Sequence, residues 1–432
     1  MKFKVFLAAI LISILFSTSF ASSERVNSMG RAIWLIDDLI YDLDLNPAFA
    51  TSQNDYLLNS SFFFYNKDQK GHIYSPMDDF SQSCYGKKDS LQIKLLAVTP
   101  IGNSLILAIG GEFEKLDHSI RYSHFWTSEE ISLRSSNRLY TLRTILAYDP
   151  DPGLSVGLDF QFMKKPHMDL FNENNWDVLS TNPISIDRVD GKKITLGLKR
   201  NKQSIEYGFS LSYLWQEQNF WQESIHWTGN LVKITFKEKF NLWQGISHFK
   251  YRISEESYLR TYLGFLGEKY EFDKLTYWPT YKIKDSTKFP STFWGIGLVN
   301  HTGESTVVFA LSGRYFKFKS NKYDPSLVSY QFSKLSIHFG IEHSLFKILS
   351  LRGGLFMWSE TTERDERTTI MPAFASSYNS SQSNVLEPTF LTLGLGIKIM
   401  KNLEFDIDVA NIPKSTDSEE EPFLKISTSF TY

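Results

Sequence analysis

Between residues 204 and 215 every second side chain is large and apolar. Ile205, Tyr207, Phe209, Leu211, Tyr213 and Trp215 fall on one side, and Ser204, Glu206, Gly208, Ser210 and Ser212 on the other. A period of two is the pattern of a strand with one apolar face, and no helix can satisfy it. The pattern recurs. Leu154, Val156, Leu158, Phe160 and Phe162 oppose Ser155, Gly157, Asp159 and Gln161, while Leu391 to Ile399 and Leu403 to Val409 repeat it near the C-terminus. The chain is therefore expected to be all-β.

Soluble sandwiches also alternate, so further features have to place the strands in lipid. The apolar faces often end in Tyr, Trp or Phe, as expected where strands cross the headgroup layer. The opposite faces carry Gly, Ser and charges, which suits a lumen. The mean hydropathy is -0.25 even though the chain holds 35 Phe, 21 Tyr and 10 Trp. A barrel reconciles the two, because only the lipid face of each strand needs to be apolar. The last segment, Leu424, Ile426, Thr428, Phe430 and Tyr432, ends on an aromatic. It looks like the signal read by the outer-membrane barrel assembly machinery.

The start of the chain reads as an export signal over residues 1–21. Lys2 and Lys4 precede an apolar stretch from Val5 to Phe16, and Ser19-Phe20-Ala21 supplies a cleavage site. That stretch is shorter than the roughly 20 residues a spanning helix needs. The expected location is the bacterial outer membrane, in contact with its lipid and lipopolysaccharide. With Cys84 the only cysteine, an intramolecular disulfide is impossible, and the expectation is a free thiol in a loop. A net charge of -2 and the absence of a basic stretch give no reason to expect nucleic acid.

Candidate strands fall near 55–65, 89–98, 103–115, 138–148, 153–163, 192–200, 204–215 and 241–253. The others fall near 257–272, 290–300, 304–318, 330–345, 349–359, 388–399, 402–411 and 423–432. Tight connections, such as 149–152, 201–203 and 401–402, alternate with long ones at 66–88, 116–137, 164–191, 216–240 and 360–387. Short periplasmic turns and long outer loops are what bacterial barrels show. The expectation is a transmembrane antiparallel β-barrel of residues 55–432 with about sixteen strands by this pattern.

Residues 22–54 break the alternation. Trp34, Leu35, Ile36, Leu39 and Ile40 have a spacing closer to helical, and Asn46-Pro47-Ala48 interrupts it. An apolar, non-alternating stretch ahead of the first strand is a candidate lumen plug. Gly30-Arg31-Ala32, then Asp37-Asp38, then Asn46-Pro47-Ala48 resembles the hatch of FadL-type transporters. Gly340-Ile341-Glu342, Leu351-Arg352-Gly353-Gly354 and Leu393-Gly394-Leu395-Gly396 are similar to hairpins of the wider FadL and PorV-like group. The resemblance implies passive uptake of long-chain fatty acids or other hydrophobic compounds, and fourteen strands. The bulky Ile33 to Ile36, in place of the family's small residues, implies a different plug surface.

No metalloprotease, nucleophile-elbow or phosphate-loop motif is found, so neither an enzyme nor a cofactor is expected. Phe220, Trp221 and Trp227 in a loop at 216–229 form either an interface girdle or a landing surface for an apolar ligand. Trp34 and Leu35 are candidates to line a ligand pocket or to pack on the wall. Arg143, Arg260 and Arg314 have lumen parity, and each can meet a ligand carboxylate or join an internal ion-pair network. The chain is expected to be a plugged channel for hydrophobic small molecules. A PorV-like interaction barrel and a general diffusion porin are the alternatives.

Overall fold

The computed structural model describes the chain apart from residues 1–28, 30–34, 54, 76–79, 103, 124–129, 166–167, 173–183, 226–230, 278–279, 320–326, 347, 370–374, 385–389, 401–402, 414–422 and 432. The expected export signal, Gly30, Arg31, Trp34, Trp227 and the terminal Tyr432 lie outside the described residues.

Among the described residues eighteen strands follow one another. The first nine are β1 (Leu57–Ser75), β2 (Phe80–Ile101), β3 (Leu105–Ser123), β4 (Glu130–Asp151), β5 (Leu154–Lys165), β6 (Met168–Asn172), β7 (Ile184–Lys202), β8 (Ile205–Ile225) and β9 (Leu231–Arg252). The rest are β10 (Ser257–Tyr277), β11 (Thr280–Thr302), β12 (Ser305–Lys319), β13 (Leu327–Phe346), β14 (Leu349–Thr369), β15 (Ala375–Asn384), β16 (Phe390–Met400), β17 (Leu403–Pro413) and β18 (Phe423–Thr431). All belong to one antiparallel sheet, and β1 pairs with both β2 and β18, so the sheet closes on itself. β5 and β6 both run between β4 and β7, and β15 and β16 both pair with β14. Each pair shares one lane, which leaves sixteen lanes among the described residues. This is the expected even number, and two more than the FadL resemblance implies.

Alternation decides which face is which. On β7, Gly191, Thr195, Gly197 and Lys199 are buried inside while Ile194, Leu196 and Leu198 are exposed on the outer wall. Tyr140, Leu142, Leu146 and Tyr148 on β4, and Trp294, Ile296 and Leu298 on β11, extend the same belt. Large apolar side chains bare on the outside and polar ones buried inside define a barrel that spans a membrane. It is a barrel of the outer-membrane type.

One rim is made of short turns. Gly153, at φ 84, closes the β4–β5 turn, and a Cβ there would meet the Asn201 carbonyl oxygen at 2.5 Å. Such tight hairpins require positive φ, which glycine adopts without strain. The other rim is built differently from the expectation. The connections foreseen at 66–88, 116–137, 164–191, 216–240 and 360–387 are largely strand, and β11 runs for 23 residues and β9 for 22. About ten tilted residues suffice to cross the hydrocarbon. The excess strand length continues the ladder into water, where neither face needs to be apolar, so pairing persists after alternation has stopped. Cys84 accordingly sits in β2, opposite Gly71 and Tyr122, and not in a loop.

Candidate functional site in the lumen

The segment before β1 folds inside the short-turn half of the barrel. Its helix, α1 (Leu39–Leu45), is a short one that begins after Asp38, whose carboxylate accepts from the Tyr41 amide at 3.3 Å. The helical spacing expected over Trp34 to Ile40 is realised only in part among the described residues: 35–38 are not helical, because Asp38 caps the helix only there. Pro47 cannot extend α1 and instead starts a 3-10 turn over Pro47–Ser52.

Asn46 joins the two. Its Oδ1 accepts from the Ala48 amide at 2.9 Å, an Asx turn, while its Nδ2 donates to the Leu198 carbonyl at 2.8 Å. This tight contact depends on the wall having no side chain there. A Cβ at Gly197 would lie 1.9 Å from Asn46 Oδ1, and one at Gly157 would lie 2.3 Å from the Ala48 amide nitrogen. The glycines of the inward face are thus seats for the segment's backbone.

Two arginines hold the helix. Arg260, wholly buried on β10, donates to the Ile36 carbonyl at 3.0 Å, to Asp37 at 3.3 Å and to Asp42 at 2.6 Å. Lys250 on β9 also pairs with Asp37. Arg143, on β4, is steadied from behind by Asp159 at 3.1 Å and reaches the Leu43 carbonyl at 2.9 Å and the Asp44 carboxylate. A cation at the last carbonyls of a helix is the favourable end of its dipole. Burial pushes the Asp42 carboxyl up to about 6, against the pull of Arg260.

Apolar packing completes the seat. Leu43, Leu45, Phe49 and Ala50 pack with Leu57, Leu96, Val98, Ile106, Ile145 and Ile246 of the wall. Met29, Leu35 and Ile36 pack separately with Val299, Val308 and Ala310. Burying each large apolar side chain contributes about 1.5–3 kcal/mol. Phe49 lies among Lys199 at 5.0 Å, Arg260 at 5.5 Å and the His248 ring at 4.9 Å.

The sequence candidates separate accordingly. Asn46, Pro47 and Ala48 form the turn against the wall, and Leu35 packs on the wall and does not face open space. Arg143 and Arg260 are brought together with carboxylates of the segment, which is the ion-pair alternative. Arg314 keeps lumen parity on β12 but is exposed. Phe220 and Trp221 lie in β8, paired with Phe236 and Thr235 of β9, so the expected loop at 216–229 is, through Ile225, a strand. The sequence singled out neither the anchoring Asp42 and Asp44 nor a second lumen region. Beyond the segment the wall is two-sided: β2, β3 and β5 to β7 present Gln92, Lys94, Glu112, Gln161 and Lys193, whereas β10 to β14 present Tyr262, Phe293, His338, Phe356 and Trp358.

Together these features define a transmembrane β-barrel whose lumen is crossed by its own N-terminal segment. No family model and no curated protein matches the chain. Among solved structures it is similar to the CymD monoaromatic hydrocarbon channel, at 11% identity and TM-score 0.46 over 95% of this chain and 97% of that one. The Pseudomonas putida toluene transporter TodX matches at 10% identity and TM-score 0.46, over 96% and 99%. The ferric yersiniabactin uptake receptor FyuA from Yersinia pestis matches at 8% and 0.41, over 88% and 80%.

Proposed function

We propose that the protein is a passive outer-membrane channel for small hydrophobic compounds, closed by residues 22–54 acting as a plug. One observation carries this. Hydrogen bonds between the segment and the wall use side chains, as with Asn46, Thr51 to Ser155, Lys199 to Ser52 and Ser210 to the Leu45 carbonyl. None of these belongs to the β ladder. The segment can therefore leave its seat while the sheet stays closed, which is what a gate requires. In this mechanism an apolar ligand leaves water at the outer rim, settles on the lumen wall beyond the segment, and passes when the segment shifts. Long-chain fatty acids, as the FadL resemblance implies, and aromatic hydrocarbons both fall within this class.

A general diffusion porin fits less well, because the lumen is crossed by a packed segment. Deleting residues 24–54 should leave a heat-modifiable, folded barrel and create a steady ionic conductance in a planar bilayer that the full chain lacks. A full chain that already conducts as an open pore would favour the porin. A deleted chain that stays closed would remove the plug from the mechanism.

A further inference from the structure

The outer wall of β3, β4, β5 and β7 changes character at one level. Up to Phe113, Tyr140, Phe162 and Ile194 its outward side chains are mostly apolar and face lipid. The next outward positions are Lys115 on β3, Arg138 on β4, Lys164 on β5 and Lys192 on β7, of which Lys115 is half-buried and the others exposed. Each stands roughly ten residues from the short-turn rim, about the length of tilted strand that crosses the hydrocarbon. The Phe113 and Tyr140 rings pair just below them, 5.2 Å apart, as aromatic side chains do at the headgroup layer. The cations therefore sit where the headgroups of the outer leaflet begin.

The strand register gathers them. Lys115 and Arg138 are directly opposite one another across β3 and β4, and like charges so placed repel unless an anion lies between them. Tyr140 is opposite Lys164, and Phe162 is opposite Lys192. Arg138 and Lys164 are therefore diagonal neighbours, as are Lys164 and Lys192, each pair about 7–8 Å apart. Asp190, opposite Lys164, supplies one negative charge in return. The wall of β8 and β9 is built differently at this level. There Lys237 pairs with Glu217, and Lys239 stands in register between Glu217 and Glu271. Arg138, Lys164 and Lys192 have no such partner among the described residues.

We propose that this patch is a binding site for a phosphorylated lipid of the outer leaflet, lipopolysaccharide, held by the phosphates of its lipid A. The phosphates lie among Lys115, Arg138, Lys164 and Lys192, and the acyl chains descend over Tyr140, Leu142 and Phe162, which are exposed directly below. The Arg138 guanidinium offers paired N–H donors that match a phosphate, and the lysines act as point charges around it. A free phosphate would gain the charges alone. A lipid gains the charges and the apolar wall together, because basic side chains beside a hydrocarbon belt meet both parts of an anionic amphiphile.

The test uses the full chain purified in detergent, with bisphosphorylated lipid A, the same lipid stripped of its phosphates, and inorganic phosphate as probes. Native mass spectrometry should show lipid A retained at least tenfold more than the stripped lipid, and inorganic phosphate should not displace it. Arg138→Gln combined with Lys164→Gln should lower retention tenfold or more. Lys237→Gln, in the self-balanced part of the wall, should leave it unchanged. Heat-modifiable gel mobility checks that each variant has folded. Should the double variant fail that check, Lys192→Gln alone, at an exposed position, should lower retention several-fold. Equal retention of the stripped lipid would reduce the site to apolar contact and overturn the proposal. Displacement by inorganic phosphate, unchanged retention in the folded variants, or an equal loss in Lys237→Gln would overturn it as well.

Discussion

The two arginine anchors of the N-terminal segment use the same chemistry in different surroundings. Arg260 is wholly buried, and the Asp42 side chain it holds is 11% exposed. Arg143 holds an Asp44 side chain that is 47% exposed. Water and salt screen the second pair but scarcely reach the first, and a screened ion pair contributes little. The difference teaches that the segment has a fixed end and a loose end. As electrostatic anchors, 36–42 is the fixed end and 43–45 the loose one, while the apolar side chains of Leu43 and Leu45 are buried against the wall.

The largest expected effect follows from removing the fixed end. Arg260→Met strands Asp42 without its cation in a buried site, a change that costs about 3–5 kcal/mol. Hydrogen exchange of amides 35–53 should accelerate by roughly a hundredfold or more, with the strand amides unchanged. Equal protection in the variant would mean that apolar packing alone holds the segment. The loose end should respond far less. Asp44→Asn removes a half-exposed partner for about 0–1 kcal/mol, and Leu43 still accepts from Arg143. Raising salt should loosen the full chain's segment slightly and the Asp44→Asn variant less. A loss as large as that of Arg260→Met would erase the distinction between the two ends.

The same contrast explains what the sequence disclosed. All sixteen lanes lie where alternation placed a strand, because lipid on one side and lumen on the other impose a period of two on runs such as Ile205 to Trp215. The outer extensions, such as 66–75 and 231–240, carry no alternation and look like loops in the sequence, because water on both sides imposes no pattern. The Asn46-Pro47-Ala48 interruption was legible from local chemistry alone. Its seats were not, since Gly157 and Gly197 look like ordinary inward small residues until the segment is laid against them. Parity assigned Arg143 and Arg260 to the lumen, but it carries no information on partners about 100 and 220 residues away. The aromatic side of the lumen was hidden for a similar reason: Tyr262, Phe293, His338 and Phe356 come from four different strands. Inward aromatic residues facing inward glycines on the adjacent strand were the available signal.

The central claim is that the segment must leave its seat for ligand to pass. Thr51 Oγ and Ser155 Oγ stand 2.9 Å apart, one on the segment and one on the wall. A Thr51→Cys, Ser155→Cys chain can therefore be locked by a disulfide and released by reductant. In liposomes the oxidised protein should pass toluene no faster than protein-free lipid, and reduction should restore the rate of the unaltered chain. Unchanged toluene flux through the locked protein would contradict the account.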